Sequence, residues 1–545
     1  MKKSFFSIIS LHKANDKMSN VLGIVLLLAS LLVTPAIAAP NSFTISGNTG
    51  VGGVTLGYVD VLPNTVTANS IGDYTLTVSS NWSGTVTPSK TGYVFVPSSK
   101  TYNTVMANVG YQNYTVSISG IIFYVDNTNP SCSDLGNGLT TAKPFCKIGQ
   151  GAEVALPGNI VRVLAGNYHE RVVPQHQGSA GNPINFSAAP GVTVTGDGTS
   201  TGSAFRLTNM SYITIDGFDV TNTTEEGIYA FGSNHVTISN NHVSSSGSSV
   251  AGSERSGISF NATTDSIISG NTTDHNTMHG IILSGSCSNI TISGNISFAN
   301  AMVTERQANG IMVNNSSNNT IIHNVTYANE DTGLGFYVGA SHNLILGNVT
   351  NGNGDHGIDL NGSPNNIIVG NTVQGNVTVG INIEGDISPG SGGATVENNI
   401  SVDNGLTPPT GLPGNIRVDA QSLNGTTLDY NIFYRNVSYP GSNVQMTWGI
   451  TTYQNLAQFH DATGQESHGL QMDPLWVLEA TPATRPPTVV VGDYHLKAGS
   501  PAIDNANSAA PNEPAFDIDG NPHDDRGAFE YMPPSFPVFL PLVRH

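Results

Sequence analysis

Charge is scarce in this chain. Only 10% of its 545 residues are Asp, Glu, Lys or Arg, and the balance is acidic, −19 at pH 7. That excludes a nucleic-acid partner, whose binding rests on a basic footprint. It also disfavours plain basic attraction of an acidic polymer, which would need a bridging cation or a local arginine cluster. Cysteine is rare too, limited to Cys132, Cys146 and Cys287. No CxxC or Cys/His zinc spacing occurs. Cys132 and Cys146 lie close enough in sequence to pair in an oxidising compartment, and Cys287 reads as a small buried hydrophobe. Lysine is missing altogether between Lys147 and Lys497. The N-terminal apolar run, Val21 to Val33, is too short for a comfortable membrane span. It follows Lys2, Lys3, Lys13 and Lys17 and precedes Ala36-Ile37-Ala38, the pattern of a signal peptide over 1–38. Met18 is an alternative start. A secreted or cell-surface protein is expected, with no transmembrane span and as a monomer.

Glycine is plentiful, with 61 residues, and Ile and Val recur regularly among Asn, Ser and Thr. That regularity excludes disorder. Residues 41–118 alternate in segments such as Tyr74-Thr75-Leu76-Thr77-Val78, broken by Gly, Asn and Pro turns. They predict a small antiparallel β-sandwich. The run "ANSIGDYTLTV" with "GYVFVPSS" resembles transthyretin-like or Ig-like modules found beside extracellular enzymes and adhesins. Residues 120–205 change character and resemble the opening segment of bacterial β-helix proteins. Within them, Lys147 to Leu156 has a helical pattern that suits a cap on an open apolar end.

From 206 to 480 the sequence reads as a solenoid, regular to about 400 and less so beyond. A Gly-Ile-x-hydrophobic motif opens at Gly227, Gly257, Gly280, Gly310, Gly357 and Gly380, with a variant at Gly333. A second motif, "N-x-T-I-x-x-N", alternates with it. Most openings follow the one before by about two dozen positions, a parallel β-solenoid period and too short for a βαβ unit. Gly257 and Gly310 come about seven positions later than that period places them, so extra loop precedes each. Inward Ile, Val and Leu then stack from coil to coil. Asn241, Asn271, Asn295, Asn324, Asn348 and Asn371 recur in register and predict an asparagine ladder at an inside corner, tolerating its left-handed turn. The fold expected is all-β: a right-handed parallel β-helix behind a small sandwich. Residues 481–532, with "GSPAID" and "DIDGNPHDDRGAFE", resemble the closing, choice-of-anchor segment of bacterial surface β-helix proteins. Residues 533–545 form an apolar tail.

The repeat lets positions be stacked. Two residues before the opening glycine stand Asp331 and Asp355, in equivalent places of successive coils, roughly 4.8 Å apart. Two and four residues after it stand Asp359, Asn382, Tyr337 and Glu384, all facing outward. His279 and His356 directly precede their glycines. Arg255 and Arg306 lie in the two long loops. Converging carboxylates repel unless protonated or bridged by a cation. An oxygen-only set of Asp331, Asp355 and Asp359 suits Ca²⁺, and His356 is the easiest proton acceptor near neutral pH.

This arrangement resembles the pectate lyase superfamily. The resemblance implies an acidic polysaccharide as partner and Ca²⁺-assisted β-elimination. By that resemblance His356, Arg306 or Arg255 would act as base, and Asn382, Tyr337 and Glu384 would bind substrate. The missing lysine is a departure, because it removes the lysine base that some of these lyases use. Two alternatives stand beside this one. One is a non-catalytic adhesin or carbohydrate-binding protein, in which the acids cap turns or hold structural Ca²⁺. The other is a glycoside hydrolase using paired carboxylates.

Overall fold

The computed structural model describes residues 42–532, apart from 91–92, 119, 198–201, 249–251, 253, 301–306, 386–389 and 407–411. The expected leader, the candidate Arg306 and the apolar tail lie outside the described residues. The chain divides into two compact units, Met1–Val116 and Ser117–His545.

In the first unit, Ser42–Asn48 pairs antiparallel with Asp73–Ser79. A four-stranded antiparallel sheet runs Leu62–Thr67, Thr55–Asp60, Trp82–Ser89, Lys100–Val105. Asp73–Ser79 alternates strictly between exposed and buried side chains, as a half-buried strand must. Ile45, Leu56, Leu76, Val78 and Val86 form the core between the layers.

The second unit is a coil stack with three faces, built from sheets of 12, 11 and 11 strands. One coil runs Leu334–Tyr337 on the front sheet, Leu344–Leu346 on the side sheet and Val349–Asn351 on the back sheet. The next coil then begins on the front sheet with His356–Asn361. Among the described residues the coils pair in parallel, for example Leu334 with Ile358 and Ile345 with Ile368, and only the last front-sheet strand, Thr451–Tyr453, runs antiparallel to its neighbour. Sequence patterning predicts two strands per period; the structure has three. The extra strand is short, Val349–Asn351 in this coil, and follows the ladder asparagine directly, so it shows no period of its own. The core is a continuous column of Ile, Val, Leu and Phe, including Ile258, Phe260, Ile292, Phe336, Leu360 and Ile383.

Corners are held by side-chain amides. In the expected ladder, the backbone N–H and Nδ2 of Asn295 both donate to Oδ1 of Asn324, at 3.0 and 2.9 Å. Asn324 does the same to Asn348, and Asn348 to Asn371. The left-handed residue is not the ladder asparagine but the one before it: His323, Gly347, Gly370 and Asn398 have positive φ. A second ladder, Asn276, Asn300, Asn329, Asn353, Asn376 and Asn404, runs along the corner between back and front sheets. It explains the recurring glycine. A Cβ at Gly357 would stand 2.5 Å from Val373, 2.7 Å from Thr350 and 2.8 Å from the Asn376 amide.

Cys287 is buried in the core, in the role expected of it. Cys132 and Cys146 are disulfide-bonded. The helix Ile148–Val154 lies on the first two side-sheet strands and buries Ile148 and Ala152, close to the span predicted. A second helix, Leu456–Thr463, closes the other end with Phe459 packed against Trp448 and Tyr453. The first ladder ends there on a different residue: Asn431 donates to the buried carboxyl of Glu466. From Trp476 onward, through the closing segment, the chain folds back over the back sheet. Trp476, Tyr494, Leu496, Ala502 and Ala528 cover outward Val349, Ile400 and Ile432.

Candidate functional site

The outward face of the front sheet changes along the stack. In register, consecutive coils present Tyr229, Ser259, Ile282, Met312, Gly335, Asp359, Asn382 and Arg417. A second outward row carries Tyr337, Asn361 and Glu384. Chemistry concentrates in the last coils. Here the strands lengthen to six residues, His356–Asn361 and Val379–Glu384, against four in the coils before. The lengthening brings His356 into the sheet opposite Val379.

The stacking read from the period is present. The Asp355 N–H donates to the Asp331 carbonyl at 2.8 Å, and the Thr378 N–H to the Asp355 carbonyl at 2.8 Å. Asp331, Asp355, His356, Asp359 and Asn382 are all buried. Asn382 organises the floor. Its Nδ2 donates to Asp359 Oδ1 at 2.8 Å and stands 3.4 Å from His356 Nε2, while its Oδ1 accepts from Arg417 at 2.7 Å. Arg417 also pairs with Glu384. His356 Nε2 lies 3.7 Å from the Asp355 carboxyl.

Burial sets the electrostatics. It pushes the Asp359 carboxyl well above the usual carboxylate range, and the nearby Glu384 adds to the effect. Burial likewise holds the Tyr337 hydroxyl neutral, with the Asp359 carboxyl as its hydrogen-bond neighbour.

The structure thus gathers Asp331, Asp355, His356, Asp359, Asn382, Tyr337 and Glu384 on one face. It does not bring Arg255 there. Arg255 precedes the strand Ile258–Asn261, three coils from Asp331 or roughly 14 Å along the axis. Its guanidinium is engaged by Glu225 at 2.7 and 3.2 Å. The tight cluster also differs from the all-aspartate set. Ligand atoms of His356, Asp359 and Glu384 lie within 4.8 Å of one another, while Asp331 has Arg485 at 3.8 Å.

Sequence reasoning missed two arginines. Arg417 sits in "GNIRV", a degenerate Gly-x-Ile strand that begins well over one period after Gly380. Its outward position after Ile416 was the available signal. Arg485 comes from the closing segment. Its Nη2 lies 3.8 Å from Asp331, 4.0 Å from the Glu330 carboxyl and 3.3 Å from the Glu330 carbonyl. Only the fold-back over the back sheet places it there. Charged side chains are layered by depth: Arg485 is 26% exposed and Arg417 18%, against 12% for Glu384, 10% for His356 and 6% for Asp331. The guanidiniums are thus less buried than the acids and the imidazole.

Residues 181–349 match a family model described as right handed beta helix region, and residues 299–459 match one described as periplasmic copper-binding protein (NosD). The uncharacterized protein YwoF of Bacillus subtilis (strain 168) is 33% identical over 139 residues, which are 23% of this chain and 29% of that protein. Among solved structures, the complex of XylC with xylose aligns over 75% of this chain and 98% of its own, at TM-score 0.47 and 14% identity. Pectate lyase Pel9A aligns over 75% and 96%, at 0.44 and 18%. The alginate lyase from Paenibacillus sp. str. FPU-7 aligns over 55% and 95%, at 0.38 and 18%. The family-model match and the three-faced parallel coil stack identify the chain as a right-handed parallel β-helix protein.

Proposed function

We propose that this is a secreted enzyme that cleaves an acidic polysaccharide by β-elimination on the front sheet. The carrying observation is the depth profile of the site, in which Arg417 and Arg485 are less buried than the carboxyl of Asp359 and the imidazole of His356. Arg485 and Arg417, which stand on different coils, would each take a uronate carboxylate of the glycan chain, so that the neighbouring carbon-bound proton becomes more acidic. His356 would accept that proton, the electron pair would form the carbon–carbon double bond, and the bond to the leaving oxygen would break. The buried acid of Asp359 would give that oxygen its proton. Acid–base assistance of this kind contributes about 10²–10⁴ in rate. The disulfide is in keeping with an oxidising compartment.

A cation has a place in this reading. His356, Asp359 and Glu384 fit a divalent ion by donor type and convergence. An imidazole with two carboxylates suits a transition metal better than calcium, which prefers oxygen alone. The matched copper-binding family spans all three residues. Bound there, an ion would supply positive charge for the sugar carboxylate. Ligation and proton acceptance by His356 exclude each other, so chelation separates them.

A second reading, glycoside hydrolysis, is favoured by the pairing of Asp359, whose burial favours its neutral form, with Glu384, their carboxyl atoms lying within 4.8 Å. Retaining glycosidases use carboxyls about 5–5.5 Å apart. The test is incubation with polygalacturonate and with alginate, with and without chelator. Ultraviolet absorbance of an unsaturated product is expected, and its persistence under chelation assigns His356 as the base. New reducing ends without absorbance would move the assignment to hydrolysis. Binding without any product would make the chain an adhesin and overturn the enzymatic reading.

A further inference from the structure

The closing segment reads as a lid on the back sheet, yet one of its side chains leaves that surface. Residues 480–490 are pinned to the back-sheet corner. Gln374 Nε2 donates to the Ala480 carbonyl at 2.8 Å, the Ala483 N–H to the Gly375 carbonyl at 2.8 Å, and Asn351 Nδ2 to the Val490 carbonyl at 2.9 Å. Between these anchors Arg485 crosses to the front-sheet corner. Its Nε donates to the Gly354 carbonyl at 2.5 Å and its Nη2 to the Glu330 carbonyl at 3.3 Å. One guanidinium thus bridges the corners of two successive coils. A bonded guanidinium held this way loses little further freedom when it engages an anion.

We propose that Arg485 is a specificity-determining residue: the closing segment delivers it to the rim of the site, where it selects a carboxylated over a neutral glycan. Two observations carry this. It is the most exposed of the charged groups described at the site, at 26%. And it faces buried acids, Glu330 and Asp331, that would otherwise turn an anionic sugar away. The inference rests on the acidic-glycan reading above and gives the closing segment a part in recognition.

The test compares affinity for polygalacturonate with affinity for its methyl-esterified, neutral form. The proteins are the full chain, Arg485→Gln and Arg485→Lys. A charge-assisted hydrogen bond to a ligand is worth about 1.5–3 kcal/mol, so Arg485→Gln should lower the preference for the charged form by about tenfold or more. Arg485→Lys, which keeps the charge, should retain most of it. A purely structural role would weaken both forms equally in Arg485→Gln, with no rescue by Lys, and that result overturns the inference alone. Unchanged selectivity in Arg485→Gln also overturns it. If the unaltered chain binds neither form, the acidic-glycan reading itself is wrong and the inference goes with it.

Discussion

Two histidines occupy one place in the repeat, and their fates differ. His279 and His356 each directly precede the glycine that opens a front-sheet strand. His279 is fully enclosed. Burial depresses its imidazole to about 4, and its Nδ1 accepts the Asn309 N–H at 3.1 Å. It is a neutral prop for the next coil. His356 sits between Asp355 and Asn382, in coils where the strands lengthen and where an arginine arrives from the next coil. Repeat position is the same in both, but the longer strand draws His356 into the sheet while His279 stays outside its own, and the neighbours of each decide what it does.

The largest expected effect breaks this comparison directly. His356→Ala should lower turnover of an acidic glycan by about 10²–10⁴ with the fold intact. His279→Ala should leave turnover of the folded protein unchanged and lower the unfolding free energy by about 1–3 kcal/mol, because the Asn309 N–H loses its acceptor. Steady-state kinetics and chemical denaturation of both variants read the two effects. Equal loss of turnover would mean the two coils do not differ in function.

The ladder should come next. Asn348→Ala removes the acceptor of two buried donors, the backbone N–H and Nδ2 of Asn324. A loss of about 3 kcal/mol in denaturant unfolding is expected. A loss below about 1 kcal/mol would show the ladder to be decoration on a core that needs no help at its corners.

How much of this was legible in the sequence depends on period. Asp331, Asp355 and Asp359 could be stacked because their coils keep the regular spacing set by Gly333, Gly357 and Gly380. The ladder asparagines were legible for the same reason. Arg417 was not, since its coil carries a longer connection and its motif is degenerate. Arg485 was beyond reach for a deeper reason. Its place depends on apolar packing of Trp476 and Tyr494 against outward Val349 and Ile400, contacts between segments far apart in sequence that repeat nothing. The third strand was hidden by brevity.

The end of the ladder differs from its middle, and pH should expose the difference. Burial raises the Glu466 carboxyl to about 8 from an ordinary 4.5. The folded chain therefore binds a proton that the unfolded chain has released above pH 4.5. Its stabilising contribution is complete below that value, falls as pH rises and is lost above about 8. A glutamine could accept both Asn431 bonds on one oxygen, as each ladder asparagine does. Glu466→Gln should thus flatten the stability profile between pH 5 and 8 and exceed the parent at pH 9 by on the order of 1–3 kcal/mol. Parallel profiles for parent and variant, by thermal unfolding across that range, would remove Glu466 as the source.

The smallest effect sharpens the boundary between the two regions. Arg255 stands in the upper coils with a partly exposed partner, Glu225, at 2.7 Å. Ion pairs of that exposure are worth about 0–1 kcal/mol. Arg255→Gln should therefore shift stability by less than about 1 kcal/mol and leave kcat and KM for a short oligosaccharide as they were. The contrast with His356→Ala is the informative quantity, since sequence patterning alone ranked both residues as proton acceptors. A guanidinium already bonded to Glu225 through Nε and Nη2 is a poor base, because the carboxylate favours its charged form and raises its affinity for the proton further. If Arg255→Gln nonetheless abolished turnover, the reacting sugar would have to lie roughly three coils above Asp331, and the acid floor at Asp359 would belong to binding instead of chemistry.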